Sequence, residues 1–343
     1  MTSPALSIVI CTYRAPASID FLFDSLEQQR LQPTDEVILV DNGVQPDRLP
    51  HVQARLEKLK KTGVGVVLVP EPRPGHVHAR LAGFRQVKRE LVVLLDDDNS
   101  LAPDALENAR QRANQSSGLG GICPRIEPVW PGEVPRWVIA LGHDVLSYNH
   151  SSLRPMKPQH QLWPGGVEGL RPPGGGMILR REAVEAFVRL TDYYPGIYGL
   201  GYHGATPGSS DDYWLYRMVY WLRMPTCCDA SIRVFHHIPV ERTRLDYLLR
   251  LYYNANCGFA QAALMLFGKK LFPLSLAHSV WRLGRRCLVA LRDGGSYQAI
   301  LAMLAAEYGY VRETVSSLFS KEVQHIRPSE VFLAEPGSRS SNR

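Results

Sequence analysis

The chain has 343 residues, of which 45% are hydrophobic and 21% charged, with 39 Lys and Arg against 33 Asp and Glu. That balance excludes a disordered chain and fits one large domain with an appendage. No run of 18 apolar residues occurs, so no segment reads as a membrane span.

LSIVIC (6–11) predicts a first strand, and a helix is expected from Pro16 towards Gln29, since proline suits a first helical turn. EVILVDN (36–42) reads as a second strand ending in Asp41, and helical spacing runs from about Asp47 to Lys61. VGVVLV (64–69) is a third strand, followed by a helix from about His76 to Lys88. LVVLLDDDNS (91–100) then carries five apolar residues straight into Asp96, Asp97 and Asp98. Such a run suits a strand buried on both faces, with the carboxylates at its carboxyl end, where open α/β sheets bind ligands. Three packed acids repel one another unless a cation neutralises them, and an oxygen-liganded divalent ion does this commonly. A solvated turn capped by Asn99 or Ser100 accounts for one of the acids but not for three.

A helix is expected to start near Pro103, and LGGICPRIEP (119–128) reads as another strand. This winding of strand and helix predicts a mostly parallel sheet covered on both faces. From Trp130 to Pro173 the pattern dissolves into Pro, Gly, Trp and His, which predicts a long loop serving as substrate surface. GGGMILRREAVEAF (174–187) follows as a glycine lead-in, a short strand and a helix, and Asp211 and Asp212 open a further helix. CCDASIRVFHH (227–237) is the last strand, ending in His236 and His237. Beyond Arg242 the chain reads as helical to about Phe319, with a loose tail over 321–343.

The surplus of six positive charges lies within 241–295, where Lys269, Lys270, Arg282, Arg285, Arg286 and Arg292 alternate with apolar stretches. Basic, apolar-faced helices suit an anionic membrane surface or an anionic acceptor; a basic helix pair packed on the core is the alternative. Cys11, Cys123, Cys227, Cys228, Cys257 and Cys287 show no C-x-x-C pair and no zinc spacing, which predicts reduced thiols in the cytoplasm. MTSPALSIVICTYR has no basic leader and no small-residue cleavage site, so no secretion signal is read, and the N-x-S/T triplets at Asn114 and Asn149 are taken as chance. Gly199, Gly201 and Gly204 spell a dinucleotide fingerprint, but no strand precedes them and Pro207 follows. Asp96, Asp98, Ser100 and Glu107 copy positions of a calcium loop, yet Leu101 stands where glycine is needed.

LSIVICTYRAPASIDFLFDSLEQQ, EVILVDNG, GHVHARLAGF and LVVLLDDDNSL, in that order and spacing, resemble the nucleotide-sugar-binding half of family 2 glycosyltransferases with the GT-A fold. The resemblance covers residues 6–130 and continues more thinly to about 237. It implies a catalytic domain over 1–240, with a nucleotide-sugar-binding half (1–130) and an acceptor-side half (131–240), then a helical, basic region (241–320). It implies that Thr12, Tyr13 and Arg14 begin the nucleotide pocket, that Asp41 binds the base and that Arg80 contacts nucleotide or diphosphate. Leu81 replaces the family's usual Asn beside that arginine. Asp97 would touch the ribose, Asp98 would bind Mg²⁺ or Mn²⁺, and Asp96 would complete the D-x-D spacing on the donor and metal side.

Asp211, Asp212, Leu215 and Arg217 reproduce the spacing of the family's catalytic helix, with Asp212 as the base and Asp211 in place of the usual Glu. One of His236 and His237 would join the metal, with His237 chosen as the ligand, since alternation along a strand sends only one of them to the site. Arg242 and Arg244 could approach a diphosphate or lipid phosphate. Gly174, Gly175 and Gly176 would let a sugar approach the backbone. The expected function is inverting transfer from a nucleotide-diphosphate sugar to a hydroxyl of a glycan, lipid-linked saccharide or small molecule. A cytoplasmic setting follows, with peripheral contact at the inner face of the membrane through the basic region. Two rivals remain: a haloacid-dehalogenase-type phosphohydrolase using Asp96 and Asp98, and a non-catalytic, membrane-peripheral protein that keeps the fold.

Overall fold

The computed structural model describes residues 3–116, 118–145, 174–200, 211–267 and 297–319, together with Trp281, Gly284 and Ile326. Its strands are β1 (Leu6–Thr12), β2 (Glu36–Asp41), β3 (Gly65–Pro70), β4 (Leu91–Asp96), β5 (Asn99–Leu101), β6 (Gly121–Val129), β7 (Ile178–Arg180) and β8 (Thr226–His237). They form one sheet in the order β3-β2-β1-β4-β7-β6-β8-β5. β1 pairs in parallel with β2 and β4, and β2 with β3. β7 runs antiparallel between β4 and β6, while β6 and β8 pair in parallel.

β1 and β4 are apolar because both sheet faces are covered. Ile8 and Ile10 of β1 join one core with helices α1 (Ile19–Glu27), α2 (Leu49–Lys60) and α4 (Ala105–Gln115). Val9 points the other way, into a second core with α3 (His76–Phe84), α6 (Arg181–Tyr193) and α7 (Asp211–Trp221). Two buried ion pairs tie distant segments into this frame. Arg110 binds Asp35, whose carboxylate also accepts the Leu6 and Gln32 N–H groups. Arg112 Nε donates to Asp229 at 2.7 Å.

Three expectations change. The first helix begins at Ile19 rather than Pro16, because Arg14 and Ala15 turn the chain through positive φ values of 64° and 46°. The long loop expected from Trp130 contains α5 (Arg136–Val145), whose Val138 and Leu141 pack with Ile238, Leu248 and Leu251; residues 146–173 lie outside the described part. The C-terminal region folds back on the core: α8 (Leu245–Phe267) sets Phe259 edge-on to Tyr213 of α7, and α9 (Tyr297–Phe319) packs along α8. Ile326, inside the expected tail, is buried, and its N–H reaches Met265 O at 2.8 Å. The basic side chains from Lys269 to Arg292 and the glycines at 201 and 204 lie outside the described residues. Among the described residues, no helix is long and apolar enough to cross a membrane.

Candidate active site

The ends of β1, β2 and β4 open on one side of the sheet, and Asp97 and Asp98 form the turn between β4 and β5. Asn99 fixes that turn: its Oδ1 accepts the Asp96 N–H at 3.0 Å and its Nδ2 donates to Asp98 Oδ1 at 3.2 Å. Asp97 turns to β1, where its Oδ2 accepts from Thr12 Oγ1 at 2.7 Å and from the Tyr13 N–H at 3.1 Å. Burial and the neighbouring Asp98 charge nevertheless push the Asp97 carboxyl up to about 7. Tyr13 is exposed, and the Arg14 guanidinium lies 4.9 Å from its ring centre, forming a flat cationic rim. Asp41 bends its own turn, accepting the Gly43 and Val44 N–H groups at 3.0 and 2.7 Å.

Asp98 turns to β8 and the segment after it. Its Oδ2 lies 3.3 Å from His236 Nε2 and accepts from Arg242 Nη1 at 3.0 Å. Burial would raise this carboxyl, but the His236 and Arg242 partners hold it well below the ordinary carboxylate range. The structure brings the His236 ring, rather than that of His237, to the Asp98 carboxylate, while the His237 backbone N–H donates to Asp98 O at 2.8 Å. His237 follows on the opposite side of the strand, where its ring stacks on Phe21 at 4.2 Å and its Nε2 meets Ser100 Oγ at 2.8 Å. Arg244 pairs with Asp246 at the exposed start of α8.

The second acid group opens α7. Asp211 is buried, its side chain 2% exposed, whereas Asp212 keeps 23% of its side chain open. Arg80 lies beneath both, donating through Nη1 to Asp211 Oδ2 at 2.8 Å and to Asp212 Oδ1. The sequence expected Arg80 to contact nucleotide or diphosphate; the contacts seen are with carboxylates. The arginine is buried on the inner face of α3, where the two carboxylates take its charge, and Asp96 Oδ1 stands 3.8 Å away. Burial opposes ionisation of Asp211, yet Arg80 and His76 pull its carboxyl down to about 2. Burial and the Asp211 charge raise Asp212 above its ordinary value in spite of Arg80. Leu215 and Arg217 are structural: Leu215 is core, and Arg217 lies over the rings of Tyr220 and Trp221.

The sequence offers His76 and His78 as a pair with ligand-like spacing at a helix start, read as loop or phosphate-side residues; the structure sets His76 between the acid groups. Its Nδ1 lies 3.1 Å from Asp211 Oδ2 and its Nε2 3.4 Å from Asp96 Oδ1, so it bridges the two acid groups. Burial and Arg80 disfavour its charge, but Asp211 and Asp96 outweigh them and lift it to about 9. Its companion His78 stacks on Tyr198 at 4.7 Å. The glycine lead-in closes the gap between the acid groups. The Gly174 N–H donates to Asp212 Oδ2 at 2.7 Å, and a Cβ there would overlap Arg80 and Asp212. A Cβ on Gly175 would come within 2.6 Å of Asn99 Oδ1 and 2.7 Å of Asp96 Oδ2. These glycines let the backbone approach the acids themselves.

The donor set fits a hard divalent cation. Asp98 offers a carboxylate beside the His236 ring, and Asp96 a second carboxylate across the turn. Among the described residues, no three His, Cys, Asp or Glu side chains form a cage by themselves, so such an ion would complete its shell with phosphate or water oxygens.

The family model described as "Glycosyl transferase family 2" matches residues 7–186, more than half of the chain. An uncharacterized glycosyltransferase of Bacillus subtilis, YwdF, is 30% identical over 102 residues, which are 30% of this chain and 35% of that protein. An undecaprenyl-phosphate 4-deoxy-4-formamido-L-arabinose transferase of Pseudomonas aeruginosa is 31% identical over 118 residues, 34% of each chain. The matched stretch therefore spans about a third of these curated relatives. Among solved structures, the mannosyltransferase PcManGT of Pyrobaculum calidifontis, in complex with GDP-Man and Mn²⁺, superposes with a TM-score of 0.52 at 19% identity, covering 94% of this chain and 89% of that one. GalNAc-T7 with UDP, GalNAc and Mn²⁺ gives 0.53 at 14% identity, covering 80% and 51%. The phosphohydrolase alternative falls with these matches: the chain belongs to glycosyltransferase family 2 and has the GT-A fold.

Proposed function

We propose that this enzyme is an inverting, metal-dependent transferase that moves a sugar from a nucleotide-diphosphate sugar to an acceptor hydroxyl. The observation that carries this reading is the asymmetry of the acid pair. Asp211 is sealed by Arg80 and His76, while Asp212 remains open, oriented by Arg80 on one oxygen and by the Gly174 N–H on the other. An oriented, open carboxylate with a raised affinity for protons suits a general base. Asp212 takes the proton of the acceptor hydroxyl as that oxygen bonds to the anomeric carbon. The bond from that carbon to the diphosphate oxygen breaks on the opposite face, which inverts the configuration.

Tyr13 and Arg14 offer the base a flat cationic surface, Asp41 a hydrogen-bond acceptor, and Asp97, fixed by Thr12, an acceptor for the ribose. Arg80 stands behind the site and orients Asp211 and Asp212. Asp98, with His236 or Asp96 and with phosphate and water oxygens, would hold Mg²⁺ or Mn²⁺, whose charge stabilises the departing diphosphate when bound. The Mn²⁺ complexes of two structural neighbours support this choice of ion. Free cysteines support a cytoplasmic setting, and the basic 241–295 segment supports contact with an anionic membrane surface.

The test is a panel of UDP-, GDP-, dTDP- and CDP-sugars, with Mn²⁺ and with glycans, lipid-linked saccharides and undecaprenyl phosphate as acceptors. One donor should raise the melting temperature and release its nucleoside diphosphate, with the transferred sugar inverted. If no nucleotide sugar shifts stability or turns over, the proposal is wrong. Asp212→Asn should keep donor binding and lose transfer; unchanged transfer would remove Asp212 as the base. A non-catalytic protein would show binding without turnover in the native chain.

A further inference from the structure

Arg242 approaches two groups that could both ligate a cation. Its Nη1 lies 3.0 Å from Asp98 Oδ2 and 3.2 Å from His236 Nε2, and those two atoms are 3.3 Å apart. An arginine nitrogen can only donate, so Asp98 Oδ2, and His236 Nε2 in the tautomer that leaves it unprotonated, turn towards it lone pairs of the kind that bind a metal. The guanidinium is delivered by the short turn Val240–Thr243, just beyond the end of β8, and its side chain is 30% exposed. It therefore reaches Asp98 from a partly exposed turn rather than from within the core. A guanidinium and a divalent ion on the same carboxylate repel each other strongly in a partly buried site, and a nucleoside diphosphate offers arginine a better bidentate partner.

We propose that Arg242 is a resident counterion of the Asp98–His236 pair, which keeps metal affinity low until a nucleoside diphosphate draws the guanidinium away. Metal and nucleotide binding are then coupled through one side chain, and each favours the other by the same factor. The inference rests on Asp98 as a metal ligand, and the experiment separates the two claims.

Mn²⁺ binding is measured on the full chain, by the loss of the free-ion electron paramagnetic resonance signal, for the native protein, Arg242→Gln, Arg242→Lys and Asp98→Asn. Without nucleotide, Arg242→Gln should bind Mn²⁺ at least about ten-fold more tightly than the native protein, and Arg242→Lys should stay close to native. With saturating UDP or GDP, whichever raises the melting temperature more, native affinity should rise and the gap to Arg242→Gln should shrink. Equal or weaker Mn²⁺ binding by Arg242→Gln overturns the proposal, as does a gap that nucleotide leaves unchanged. Loss of Mn²⁺ binding in Asp98→Asn supports the ligand itself. Its retention shows that the metal reading has failed, and the counterion proposal with it. Melting curves of each variant show that it is folded, and a misfolded Arg242→Gln is replaced by Arg242→Met under the same criteria.

Discussion

The two acid groups of the site are solved differently. Asp96, Asp97 and Asp98 follow one another at the end of β4 but take different partners: Asp98 meets His236 and Arg242 from the β8 side, whereas Asp96 meets His76 and Arg80. Asp211 and Asp212 share one buried guanidinium and the bridging imidazole of His76. In the first group burial and the Asp98 charge raise Asp97, and on the proposed reading this is the group that takes a divalent ion. The second already has its countercharge and needs none. On the proposed reading, the carboxylates that exchange ligands during turnover lie in the first group and the one that stays oriented lies in the second.

The sharpest break in this comparison is Asp212→Asn. Transfer should fall by about 10²- to 10⁴-fold, the usual contribution of a general base, while Mn²⁺ affinity stays at the native value. A matching fall in metal binding would merge the two groups into one. Gly174→Ala should be next, because its Cβ collides with Arg80 and Asp212. A displaced base would lower kcat by about 10²-fold with little change in KM for the donor. A loss confined to KM would place Gly174 in the donor pocket instead.

Arg80→Met removes the countercharge from two carboxylates, one of them sealed from water. Leaving a buried acid unpaired costs about 3–5 kcal/mol, so the melting temperature should drop sharply, and Arg80→Met with Asp211→Asn should recover part of it. No recovery would deny the pairing its importance. Chelation should abolish transfer, restored by Mn²⁺, and should leave the melting temperature within a few degrees of native. A collapse of the fold on chelation would make the metal structural.

The smallest effect is in pH. Asp211 is held at about 2, below its unfolded value near 4, so its contribution to stability is present above pH 4 and is lost as pH falls towards 2. Asp211→Asn should flatten that part of the acid melting curve. An unaltered acid limb would show that other carboxylates govern it.

Much of this was legible in the sequence where chemistry is local. Five apolar residues before Asp96 dictate a doubly buried strand, so the position of the acids follows from the pattern alone. Asp212 was legible as one of two acids at a helix start. The partners of Arg80 were not, since they lie 131 and 132 residues away and reach it only when α7 folds against α3. His76 was legible as a loop or phosphate-side residue, but its bridge to Asp211 was not, for the same reason. Which histidine ring meets the Asp98 carboxylate needed the facing of β8, and α5 was masked by two prolines just before it, Pro131 and Pro135, although Val138 and Leu141 supply its buried side.

Strand β7 is three residues long, yet it is the seam at which β4 meets β6. The chain enters it directly from Gly174–Gly176 and leaves it into α6. For anyone grafting a new acceptor specificity onto this enzyme, that seam sets the cut sites. A graft joined between 174 and 237 would separate the Gly174 N–H from Asp212, or Asp212 from the strand that carries His236 to Asp98. The segment from the glycines to the end of β8 must therefore be exchanged as one block, together with the Arg80 and His76 face of α3 that receives it.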